Sequence, residues 1–130
     1  MTLPLWCVFI SALLIFVARL PVGKAMKAEA GGYDNHHPRA QQARLTGLGA
    51  RALAAHQNSL EAFPLFASGV LVATVTQSGG LLVNLLAVVF VIARALFIVF
   101  YCTDKPSLRS LSWFAGLLCS LLLLISPVLV

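Results

Sequence analysis

The stretch RALAAHQNSLEAFPLFASGVLVATVT, residues 51–76, starts polar and ends apolar. Arg51, His56, Asn58 and Glu61 lie in its first half, and no charged residue follows Glu61 before Thr76. With the upstream residues from Gly47 it makes an apolar-leaning span of about 30 residues, or ~45 Å as a helix. A bilayer's hydrocarbon layer is ~30 Å thick. The first turns of this helix therefore project to an interface, and Asn58 and Glu61 come near the membrane edge, where the apolar run begins.

The whole chain of 130 residues supports a lipid environment. Hydrophobic residues make up 60% and charged ones 10%, and the mean hydropathy is +0.95. A soluble domain carries ~25% charged residues, so this chain has too little polar surface to face water on all sides. Three more apolar spans can be read, at residues 3–20, 81–101 and 108–130. A membrane helix needs ~20 residues, and in lipid the backbone must pair internally, which favours helices. The expected fold is an all-α integral membrane protein. It is a four-transmembrane-helix bundle forming one domain over residues 1–130, with helices at about 3–20, 47–76, 81–101 and 108–130.

Charge placement gives the topology. The net charge is +5, but the basic residues cluster in connections rather than on a nucleic-acid-binding face, so no nucleic-acid partner is expected. Lys24, Lys27, Arg39 and Arg44 lie between the first two spans, and Lys105 and Arg109 lie between or beside the last two. The QSGG connection and the C-terminus have no basic residue. By the positive-inside bias, the first and third connections are cytoplasmic and both termini lie outside, as in a bacterial inner membrane. Nothing basic precedes Trp6, unlike a cleaved signal peptide, so the first span reads as a retained helix.

Cys7, Cys102 and Cys119 are odd in number and widely spaced, which suits buried thiols better than a disulfide framework. In the first connection, DNHHPR reads as a turn, because Asp34 and Asn35 favour turns and Pro38 restricts His37. Its adjacent histidines with Asp34 are too few for a metal site. His56 reads as a solvated histidine near a helix end.

Ionisable groups at membrane depth cost ~2.5–3.5 kcal/mol each and need partners. Asn58 and Glu61 share a helix face, with Arg51 two turns before Asn58 on the same side. Arg94, Phe97 and Tyr101 share a face of the third span. Glu61 and Arg94 are opposite in charge and fall on the same half of the membrane, so they are expected to pair. Such a pair can serve only helix register. The surplus of polar groups, with Tyr101, Arg109 and Ser110, also suits a small charged ligand at the membrane face. Ser110 near a helix start can satisfy free backbone donors, or with Arg109 it can stabilise an anion.

The segments DNHHPRAQQARLTGLGARA and RALAAHQNSLEAFPLFASGVLVA resemble the MAPEG family (membrane-associated proteins in eicosanoid and glutathione metabolism), particularly its uncharacterised bacterial branch. The resemblance covers nearly the whole chain. It implies a homotrimer with glutathione as co-substrate, bound between subunits near the cytoplasmic face. It assigns ligand binding to Asn58, Glu61, Arg94 and Tyr101, thiol activation to Arg109, and a supporting hydroxyl to Ser110. Four positions depart from the family's better-known members. Ala54 and Gln57 stand where those members carry arginines, Ala62 stands where leukotriene-forming members carry tyrosine, and Phe97 replaces a tyrosine or histidine. Arg51, one turn before Ala54, is a candidate replacement cation.

Two functions follow. One is a membrane-bound glutathione transferase or peroxidase acting on lipophilic electrophiles, with Arg109 stabilising the thiolate. The other is a non-catalytic membrane scaffold that binds lipid or a partner.

Overall fold

The computed structural model describes all 130 residues and contains helices only. They are α1 (Leu3–Ala28), α2 (Pro38–Ala43), α3 (Gly47–Val75), α4 (Leu81–Cys102), α5 (Pro106–Leu124) and α6 (Ser126–Leu129). Of these, α1, α3, α4 and α5 are each long and apolar enough to cross a membrane. The chain is an integral membrane protein.

Helix α1 continues past the expected end at Leu20 to Ala28, through Pro21. The apolar run ends where lipid ends, whereas helical hydrogen bonding needs no lipid and continues into the interface. Tertiary packing supports the extension: Val22 and Met26 are fully buried against Ala52 of α3. The last span is shorter than expected. Helix α5 stops at Leu124 rather than running to Val130, and one turn, α6, follows. Pro127 has no N–H to continue the ladder of α5, but it is tolerated in the first turn of a new helix, α6. At the other end, Pro106 opens α5, where its missing donor costs nothing.

The DNHHPR turn is held by Asp34, whose Oδ1 accepts from the backbone N–H of His36 (3.0 Å) and His37 (2.9 Å). Pro38 then starts α2, a short helix that the sequence did not announce. Gln41 on α2 is 1% exposed. Its Nε2 donates to the carbonyls of Met26 (3.0 Å) and Gly32 (2.9 Å) and to Glu29 Oε2 (3.1 Å). Its Oε1 accepts from the Asp34 N–H at 2.8 Å. One amide thus stitches the whole connection to the end of α1. Gln41→Ala is expected to leave these groups unpaired, at about 1–3 kcal/mol. Limited trypsin digestion should read this as faster cleavage after Lys27 and Arg39, with the membrane core still protected.

Helix α3 lies at the centre and packs on α1, α4 and α5, while α4 and α5 pair as a hairpin. Between helices in lipid, close van der Waals packing replaces the hydrophobic driving force, and small residues permit it. Accordingly Ala18, Ala52, Ala55, Ala73, Ala87 and Ala93 are all buried. Phe66 of α3 stacks on Phe90 of α4, with ring centroids 3.8 Å apart and planes at 6°. Cys7 and Cys119 pack around them. Large apolar side chains such as Phe16, Leu20, Leu111 and Phe114 are exposed on the outside of the bundle.

Candidate functional site

The polar residues of α3 and α4 meet inside the bundle. Asn58 and Glu61 lie one helical turn apart. Asn58 Nδ2 donates to Glu61 Oε2 at 3.2 Å, and Asn58 Oδ1 accepts from Arg94 Nη2 at 2.9 Å. Arg94 is only 4% exposed. It also donates to Ser59 Oγ at 3.4 Å, and its guanidinium lies over the Phe97 ring, 4.2 Å from the centroid.

The direct Glu61–Arg94 ion pair expected from charge does not form. Asn58 stands between the two and engages both with opposite ends of its amide. Arg94 reaches α3 at the level of Asn58 and Ser59, one turn short of Glu61. Opposite charges on neighbouring helices specify attraction but not height, and the packing of α3 on α4 sets the height.

Helix α5 completes the site. Gly116 leaves room beside Arg94: a Cβ there would lie 3.4 Å from Arg94 Cδ. Asn58, Glu61, Phe90, Arg94, Trp113 and Gly116 line a groove of about 190 Å³. A second, more open recess of about 380 Å³ is lined by Asn58, Phe97, Tyr101, Arg109, Ser110 and Trp113. Asn58 and Trp113 line both, so the two spaces adjoin at these residues as two lobes of one candidate site. The Arg109 guanidinium stacks on Tyr101, 4.6 Å from the ring centroid. A cation held on an aromatic face is positioned without being neutralised.

Ser110 does not cap α5. The residue at the cap is Lys105, whose carbonyl already accepts the Arg109 N–H at 2.9 Å. Ser110 lies beyond the free backbone donors, and it is exposed in the open lobe.

Arg51, expected on the same side as Asn58 and as a replacement cation, lines neither space. Its Nε donates to the Cys102 carbonyl at 3.3 Å, at the end of α4. The last carbonyls of a helix lack intrahelical partners and attract cations. His56 is likewise not a solvated helix end. It is half-buried, and its Nδ1 is 2.9 Å from the Ile15 carbonyl of α1. A carbonyl only accepts, so Nδ1 carries the proton.

The structure therefore gathers Asn58, Glu61, Arg94, Tyr101, Arg109 and Ser110 around one two-lobed space and leaves Arg51 outside it. Ser59, Trp113 and Gly116 were not singled out in the sequence. Trp113 stands one turn after Arg109 and was accessible to a spacing argument, whereas Ser59 and Gly116 matter only through what packs on them.

The MAPEG family model matches residues 3–129 of the chain. No curated protein and no solved structure matches it.

Proposed function

Because the chain belongs to the MAPEG family, we propose that the two-lobed site binds glutathione or a similar thiol and uses it on lipophilic electrophiles, by transfer or peroxide reduction. One observation carries this proposal: a guanidinium and a carboxylate in one recess and a second guanidinium in the adjoining one meet at Asn58 within an apolar bundle. That donor set matches a ligand with carboxylates, an amine and a thiol. Arg94 and Asn58 orient a carboxylate, and Glu61 accepts from the amine. Tyr101 contacts the peptide and holds Arg109 in place.

A thiol reacts as its thiolate, and a nearby cation favours that form. Arg109 stabilises the thiolate and Ser110 donates a hydrogen bond to it. In transfer the sulfur then forms a bond to the electrophilic atom, and the displaced or opened group takes a proton; in peroxide reduction the sulfur takes one peroxide oxygen, the alcohol leaves with a proton, and a second thiol displaces water to give the disulfide. The lipophilic partner arrives from the bilayer along the apolar outer face of α5. The resemblance extends the proposal to a homotrimer, in which the open side of the recess is closed by a neighbouring copy. The basic residues of the two connections at this end support a cytoplasmic position for it at an inner membrane, with both termini outside.

The competing scaffold function draws its support from Ala54 and Gln57, which supply no cation, and from Arg51, which is spent on the end of α4. Calorimetry with glutathione on the detergent-solubilised protein separates the two. Saturable binding is expected, weakened roughly tenfold in Arg109→Ala, or ~1.4 kcal/mol. Equal binding by the variant removes Arg109 from the site. No binding by the wild type at millimolar glutathione favours the scaffold.

A further inference from the structure

Arg94 and Phe90 border a second space besides the groove. It is a small recess of about 10 Å³, lined also by Ser11 and Leu14 of α1 and by Ser59 and Phe63 of α3. A cavity of roughly 10–15 Å³ by this measure is the smallest that holds one water, which then needs 2–4 polar partners. The space admits nothing larger.

Its polar lining has unused hydrogen-bonding capacity. Ser11 is 6% exposed, and its Oγ is buried with no hydrogen-bond partner. Four other buried or half-buried helical hydroxyls bond back one turn, Ser59 to Ala55, Thr74 to Val70, Ser112 to Leu108 and Ser120 to Gly116, whereas Ser126, like Ser11, does not. The Cys7 carbonyl offers Ser11 the same choice, yet Ser11 does not take it. Ser59 Oγ donates to Ala55 and accepts one long bond from Arg94, so it retains acceptor capacity. Arg94 has spent only part of its donor capacity, on Asn58 and Ser59. A buried cation in this position calls for further acceptors.

We propose that this cavity is a binding site for a single internal water, which joins Ser11 of α1, Ser59 of α3 and the Arg94 guanidinium of α4. The water accepts an N–H bond from Arg94, donates to Ser59 Oγ and exchanges a bond with the Ser11 hydroxyl. That makes three bonds, the usual number for a buried water. Through it α1, which contributes no residue to the groove, braces Arg94 from behind. The site is internal to one chain and does not depend on what the groove binds, so it stands or falls separately from the thiol proposal.

Two measurements on the full chain, without added thiol, test it. The first is an experimental structure fine enough to show ordered water. The expected result is a density peak within hydrogen-bonding distance of both Ser11 Oγ and Arg94, lost in Ser11→Ala. A dry cavity with Ser11 Oγ turned onto the Cys7 carbonyl overturns the proposal. The second is the sign of the Tm change in Ser11→Ala. Alanine is the best helix former, so the variant is expected to fold. If water bridges the site, removing its anchor lowers Tm by a few degrees. If Ser11 is a dry, unpartnered hydroxyl, removing it relieves a cost, and an unchanged or higher Tm overturns the proposal.

Discussion

Replacing Arg94 by alanine is expected to destabilise the bundle by about 3 kcal/mol, because removing one partner of a buried charged network leaves the others uncompensated. Arg94 is the only link by which α4 satisfies Asn58 Oδ1. It also lies on Phe97 and fills the space beside Gly116. Its loss strands Asn58 and opens a void between α3, α4 and α5. Arg94→Lys keeps the charge but presents a single ammonium where a planar fork now reaches both Asn58 and Ser59, so an intermediate loss is expected. Thermal unfolding of the detergent-solubilised protein, read by tryptophan fluorescence, measures both. Asn58→Leu combined with Arg94→Ala should cost less than the sum of the two, because both changes break the same contact. A loss below about 0.5 kcal/mol for Arg94→Ala, the level of an ordinary surface change, would show instead that Arg94 is a solvated ligand group with no part in holding the helices.

Gly69→Val is the second large effect, at about 2–3 kcal/mol, the upper part of the usual range for overpacking a tight contact. A Cβ at Gly69 would lie 2.8 Å from Leu123 Cβ, 3.1 Å from the Ser120 carbonyl oxygen and 3.3 Å from the Leu124 nitrogen. Two of these neighbours are backbone, so no side-chain rotation relieves the clash and α3 must move away from α5. The stacked Phe66–Phe90 pair and Leu123, all in the same cluster, would loosen with it. Gly79→Ala is the matched control. Nothing lies within 4 Å of a Cβ there, and a change below about 0.5 kcal/mol is expected. Equal stability of Gly69→Val and Gly79→Ala would contradict the close approach of α3 and α5.

The class of protein and the helical spans were legible in the sequence because their causes are local. Apolar length and the need to pair every backbone group in lipid act along one segment at a time. The shared face of Asn58 and Glu61 was legible for the same reason, since helical spacing alone sets it. Element ends were less so. The extension of α1 past Leu20 rests on Val22 and Met26 meeting Ala52, which is a contact between segments. The break after Leu124, in contrast, follows from Pro127 and its missing donor.

What only the tertiary structure decided is which polar group meets which. A helix turns ~100° and rises ~1.5 Å with each residue, so a shift of one or two residues between neighbours exchanges the partners of every polar side chain. The register of α3 on α4 puts Arg94 level with Asn58 and makes the amide a relay to Glu61. The partners of Arg51 and His56 are the carbonyls of Cys102 and Ile15. Every residue carries a carbonyl, so no residue type marks those two out in advance. Composition thus determines that this chain enters a membrane as four helices, and the packing of small residues between those helices determines what its charged groups can touch.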